Sequence, residues 1–201
     1  MRRLVRPIAK DLWCIVLAAG GSRRLGRPKQ LLTYRRQALL TRALDIADSV
    51  VAEQVIVVLG AEAIRIRGLL RRRGAAPEIA INSRWQEGLA GSLRAGLRTV
   101  PWRARGVLIL LTDQPRVSKA GLSQLVSSWR ARPAQAAAAR YAGRIGVPAI
   151  LPRRLWGRID ELTGDQGARA LIRDIDELRT VDMPEAEFDI DTPEDLARIV
   201  P

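Results

Sequence analysis

Short runs of wholly apolar residues alternate along the chain with longer stretches whose apolar positions recur every three or four residues. Residues 12–19, 54–60 ("QVIVVLG") and 107–112 ("VLILLT") lack the apolar–polar alternation of a half-exposed strand. They predict strands covered on both faces, as in a parallel sheet. Leu39, Leu40, Ala43, Leu44 and Ala47 repeat at helical spacing, and residues 62–73, 92–100 and 119–131 also read as helices. Residues 78–81, 134–139 and 144–151 predict further strands; 153–162 and 167–174 predict helices. The chain closes with short strands at 178–183 and 187–190 and a helix over 193–200. Buried strands interleaved with helices predict an α/β fold, a mostly parallel mixed sheet between two helical layers. No repeat or linker interrupts residues 1–201, so one domain is expected. In such sheets ligands bind beyond the carboxyl ends of strands. Three unusual segments stand at predicted strand ends: a glycine loop after residue 19, Asp113, and the pair Asp189 and Asp191.

Composition narrows the chemistry. With 47% hydrophobic but only 4% aromatic residues, the core must be filled by aliphatic side chains. There is no histidine, which excludes Ser-His and Cys-His catalysis and leaves oxygen ligands for a metal, the preference of Mg²⁺. The single cysteine, Cys14, lies in an apolar run, cannot form an internal disulfide, and suits a reducing compartment. No apolar run approaches the ~20 residues of a membrane span. The basic start "MRRLVRPIAK" is not followed by a long apolar region with a cleavage site. The expected location is cytoplasmic. The net charge of +13 favours anionic partners. The arginines are scattered without interleaved aromatics, which argues against a nucleic-acid surface.

The glycine loop "LAAGGSRRLGRPKQ", residues 17–30, follows the first strand. Gly20 and Gly21 allow close backbone approach, and exposed amides there can nest an anion. Arg24 and Lys29 supply cationic contacts to a polyphosphate. The loop is neither a Walker A motif, since Arg27 and Pro28 replace its Lys and Ser/Thr, nor G-x-G-x-x-G. Asp113 in "TDQP" suits a metal ligand, although Asp and Pro also make ordinary turns. In "DIDTPEDL", Thr192, Pro193 and Asp195 spell a helix start. Asp189 and Asp191, alternating on a predicted strand, face one side. At an effective dielectric of about 20, two unit charges ~4 Å apart interact by about 4 kcal/mol, so this pair calls for a cation or an arginine. "NSRWQEGLAGSLRAGL" offers a helix start near Ser92, with Trp85 readable as a plain hydrophobic plug; "GDQGAR" offers Arg169.

In order, these segments, with "VVLGA", "GRIGVPAIL" and "LTGDQGARAL", resemble the molybdenum cofactor nucleotidyltransferases, in their cytidylyltransferase branch. The first motif alone also fits sugar-phosphate and isoprenoid-precursor nucleotidyltransferases. The resemblance implies a three-layer Rossmann-like nucleotidyltransferase fold and transfer of CMP from CTP to the terminal phosphate of molybdopterin, with Mg²⁺ as cofactor. It implies that Leu17, Ala18, Ala19, Gly20, Gly21 and Ser22 cradle the nucleotide. Arg24 and Lys29 would hold phosphates, and Asp113 and Asp191 would bind the metal with Asp189 in reserve. Asn82 and Ser92 would face the base or ribose, and Arg169 the pterin. Implied partners are CTP, molybdopterin and a recipient molybdoenzyme or its chaperone. A related enzyme with another NTP or phosphorylated acceptor, or a non-catalytic nucleotide- or nucleic-acid-binding protein, are the alternatives. Val147, where many members carry His, and Leu89 and Ala90 after Gly88 depart from the pattern on the acceptor side.

Overall fold

The computed structural model describes residues 11–73 and 76–198. The basic segment 1–10 and the end of the predicted last helix, 199–200, lie outside the described residues. The first apolar run forms β1 (Leu12–Ala18), with its side chains almost all buried. A small hairpin follows, β2 (Thr33–Tyr34) and β3 (Gln37–Ala38). Then come α1 (Leu39–Val51), β4 (Val55–Leu59), α2 (Ala63–Leu70), β5 (Glu78–Ile81) and α3 (Leu89–Thr99). The second half holds β6 (Gly106–Leu111), α4 (Lys119–Ala131), β7 (Ala136–Tyr141), β8 (Arg144–Pro152), α5 (Ala168–Arg173), β9 (Leu178–Asp182) and α6 (Pro193–Ala197).

The main sheet has seven strands in the order β5-β4-β1-β6-β8-β7-β9. Among them β8 alone runs antiparallel to its neighbours. One face is covered by α1, α2 and α4, through Leu40, Leu44, Ile66, Leu122, Leu125 and Trp129. The other is covered by α3, α5 and the 153–159 segment, through Leu93, Leu155, Ile159 and Leu171. The α/β expectation therefore holds. Trp129, fully buried, lies over Gly106, where an added Cβ would fall 2.5 Å from its ring. The alanine run of β7 is helix-forming by propensity. Pairing to β8 and β9, with a helical layer on each face, leaves room for methyl groups only and holds it as a strand.

The chain moves from β1 outward to β4 and β5, then returns across β1 to β6. This reversal opens a crevice at the carboxyl ends of β1 and β6. Leu17 pairs with both Val58 and Leu111, so these ends are level.

Three local expectations are corrected. Residues 187–190 do not form a strand: Pro184–Glu187 is a 3-10 turn, and the amide of Ile190 donates to the carbonyl of Asp113 (2.9 Å) rather than to a ladder. β9 already occupies that edge. The helix expected over 153–162 is a shorter 3-10 helix, Arg153–Ile159. Finally, α3 starts at Leu89, so Gly91 and Ser92 lie within it.

Candidate active site

The glycine loop is held from below by a buried glutamine. Gln30 Nε2 donates to the carbonyls of Ala18 (2.8 Å) and Gly20 (2.9 Å). The carbonyl of Ala19 accepts from the Ala61 amide (2.9 Å). Trp85 seats the loop from the side: a Cβ on Gly21 would lie 2.8 Å from its ring, and one on Gly60 2.5 Å from its Cβ. Ser22 adopts a left-handed conformation (φ 50°), and its hydroxyl accepts from the Lys29 amide (3.0 Å). That leaves the hydroxyl proton available to a ligand.

Lys29 stands at the centre. Its ammonium donates to Asp113 Oδ2 (2.6 Å) and Asp191 Oδ1 (2.8 Å), while Arg24 holds Asp191 Oδ2 (3.0 Å). Residues from three distant segments thus converge. Burial works against the Lys29 charge, but Asp113 and Asp191 outweigh it and raise the ammonium above its ordinary pKa. Burial likewise opposes the charge of Asp191, yet Lys29 and Arg24 lower its carboxyl below the usual range. Asp189 behaves oppositely: burial, then the charges of Asp113 and Asp191, push it up to about 7. The predicted pairing of Asp189 and Asp191 is thus electrostatic, but irregular backbone rather than a strand brings it about.

A cleft of about 560 Å³ opens over this cluster, lined by Gly20, Ser22, Arg24, Lys29, Asp165 and Asp191 among others. A second cavity of about 480 Å³ shares Arg24 and Asp191 and is walled by Arg116, Phe188, Asp189 and Arg198. Arg116 and Arg198 lie over the Phe188 ring, 4.1 and 5.2 Å from its centre.

The other expected residues distribute unevenly. Leu17, Ala18, Ala19 and Gly21 shape the loop but line neither cavity. Asn82 and Ser92 are brought together and buried; the Asn82 amide donates to Ser92 Oγ (3.1 Å), fixing the end of β5 to α3. Arg169 is exposed on the first turn of α5 and lines neither cavity, although its charge reaches Tyr141. Asp165, from the same motif, does line the cleft. The carbonyl of Val147, at the departure from the family pattern, accepts from Gln114 (3.2 Å) and Tyr141 (3.1 Å). Sequence reasoning missed the supports Gln30 and Gln114. Both sit in quoted motifs, but no spacing rule marks a glutamine as a backbone brace. It also missed that Gly88 abuts Gly164, so the "EGLAG" and "TGDQG" segments form one wall.

Among the described residues, no three acidic, histidine or cysteine side chains form a ready metal cage. The oxygen donors nevertheless fit a hard divalent cation. Asp113 and Asp191 direct carboxylate oxygens to one point, and Asp113 Oδ1 is buried without a hydrogen-bond partner among the described residues.

Residues 14–181 match the MobA-like NTP transferase domain family. The chain is 31% identical to nicotine blue oxidoreductase of Paenarthrobacter nicotinovorans, over 94% of this chain and 98% of that protein. It is similar to the crystal structure of Rv0371c from Mycobacterium tuberculosis H37Rv, with TM-score 0.80, 33% identity, and 94% and 96% of the two chains covered. A manganese complex of Rv0371c gives TM-score 0.75 at 31% identity, covering 94% and 97%.

Proposed function

The chain belongs to the MobA-like NTP transferase family, and from that premise we propose that it transfers CMP from CTP to the terminal phosphate of molybdopterin. The observation that carries this reading is the convergence of Lys29, Arg24, Asp113 and Asp191 beside the glycine loop. A phosphate nucleophile is already anionic at neutral pH, so a site without histidine suffices. The acceptor oxygen bonds to the α-phosphorus of CTP as its bond to the bridging oxygen breaks, and pyrophosphate leaves. Loop amides and Ser22 orient the nucleotide; Lys29 and Arg24 neutralise charge that builds on the phosphates. Asp113 and Asp191 would hold a divalent cation, Mg²⁺ or the manganese seen with Rv0371c, which supplies electrostatic stabilisation of the phosphates. Transfer, rather than the redox chemistry in the name of the relative from Paenarthrobacter, is favoured because the converging side chains are those that neutralise phosphate charge. Cytosine preference and the pterin acceptor rest on the motif resemblance.

The test is pyrophosphate release with molybdopterin and each NTP in turn. CTP with Mg²⁺ is expected to turn over, and Asp113→Ala to lower the rate at least ~100-fold. Ligand at about 100 times its Kd stabilises by ~2.7 kcal/mol, a thermal shift of about 5–10 °C for a chain this size. Pyrophosphate release with GTP but not CTP would overturn the base assignment. Undiminished turnover in Asp113→Ala would overturn the site.

A further inference from the structure

Lys29 is claimed by two sets of anions. The expected ligands of its ammonium are nucleotide phosphates. In the structure it instead bridges Asp113 Oδ2 at 2.6 Å and Asp191 Oδ1 at 2.8 Å. These are the two carboxylates that fit a divalent cation, and the ammonium and the cation cannot share their point of convergence. Both the Lys29 and Asp113 side chains are only 16% exposed, so water does little to separate these charges. We propose that the Lys29 ammonium is a resident counter-ion for the metal carboxylates, displaced when a divalent cation enters and then taken up by the nucleotide phosphates.

Three further observations support the exchange, which rests on the nucleotidyl-transfer reading for its final acceptor. The Lys29 backbone is pinned, with its amide on Ser22 Oγ (3.0 Å) and its carbonyl accepting from Leu32 (3.0 Å). Only the flexible four-carbon stem has to move. Lys29 also lines the cleft over the glycine loop beside Ser22 and Arg24, so a phosphate bound there lies within its swing. Arg24 grips the other oxygen of Asp191 (3.0 Å), which keeps that carboxylate in place as Lys29 leaves. The exchange makes and breaks ion pairs only. Its consequence is coupling: cation alone must evict a bound ammonium that has nowhere to go, whereas nucleotide gives it a new partner. Cation and nucleotide therefore strengthen each other's binding beyond their affinity in solution, reciprocally.

The test uses the full chain with Mn²⁺ alone, without nucleotide or acceptor, and free Mn²⁺ read by electron paramagnetic resonance. Lys29→Met removes the competing charge and keeps the bulk. It is expected to bind Mn²⁺ at least ~10-fold more tightly than the natural chain, a difference of about 1.4 kcal/mol. Equal or weaker binding by a folded Lys29→Met overturns the proposal. A second measurement needs no variant. Acylation of Lys29 by an amine reagent, scored by mass spectrometry against the exposed Lys119, is expected to be slow without metal and several-fold faster at saturating Mn²⁺. It is expected to slow again when CTP is added. Unchanged Lys29 reactivity at 10 mM Mn²⁺ overturns the exchange. If Mn²⁺ releases Lys29 but no nucleotide recaptures it, the nucleotidyl-transfer reading and the uptake by phosphate fail together, and only the displacement of Lys29 by the cation stands. Normal CTP turnover without Mn²⁺-dependent release has the converse meaning.

Discussion

Asp189 shows how one residue's setting decides its charge. Burial and the neighbouring Asp113 and Asp191 raise its carboxyl to about 7, against an ordinary value near 3.8. A raised acid favours the folded state fully below the unfolded value. That stability is lost as pH rises, beginning near pH 4 and complete above about pH 7. Asp189→Asn removes the titration. Measured in chelator, its melting temperature relative to the natural chain is expected to be unchanged at pH 4, to climb between pH 4 and 7, and to level off above. The Asp189 side chain is exposed at the surface, although the packing around its carboxyl disfavours the charge, so screening holds the gain to about 1–3 °C. A flat difference across that range would show that Asp189 does not carry the charge conflict. The acidic pair was legible in the sequence, but which member ionises was not. Lys29 and Arg24, far away in the chain, face Asp191, and no cation among the described residues pairs with Asp189.

At the scale of elements, the site depends on two helix starts. At the first, just before Leu89, α3 is capped by Gly88, whose φ of +106° and contact with Gly164 both exclude a side chain. A Cβ there would fall 2.2 Å from the Gly164 carbonyl, and the Ala90 amide donates to that same carbonyl (3.1 Å). Gly88→Ala is expected to cost about 2–4 kcal/mol, lowering the melting temperature by about 4–16 °C. It is also expected to raise KM for nucleotide, because Leu89 and Asp165 on this wall line the cleft. A melting temperature within a degree of the natural chain would contradict the contact. At the second, α6 carries a complete capping box, in which Thr192 Oγ1 accepts from Asp195 and Asp195 accepts from Thr192. Asp195 also takes the Asp191 amide (3.1 Å). The cap that the sequence spelled out thus positions the carboxylate beside it. The helices and central strands were legible because burial imposes its period on the sequence. The strand expected at 187–190 was not formed, because apolar Phe188 and Ile190 pack with Tyr34 and Leu39 in a small satellite cluster off the sheet.

Across the whole molecule, the sheet topology and the charge act together. The reversal between β4 and β6 around β1 places the glycine loop and Asp113 at one crevice. A chain of net charge +13 attracts anions at long range, and on the nucleotidyl-transfer reading the nucleotide is such an anion. Salt screens such attraction over about 10 Å at 0.1 M. The kcat/KM for nucleotide is therefore expected to fall several-fold between about 50 and 300 mM salt while kcat stays nearly constant. A kcat that falls in parallel would locate the salt effect in the Lys29–Asp113–Asp191 contacts instead of in encounter.

By itself the sequence determined the layered α/β plan, the glycine loop, and the kinds of side chain a phosphate site needs. Apolar period and turn chemistry are local properties, written wherever the chain must be buried or bend. Only the tertiary structure decided which charges meet. Lys29 lies 84 residues from Asp113 and 162 from Asp191, and no local rule couples positions so far apart. Asn82 and Ser92, expected to face the base or ribose, hydrogen-bond each other, and Gln30 braces the loop. Such pairings follow from sheet order and packing, which bring the strand ends together and leave each polar group to find its partner there.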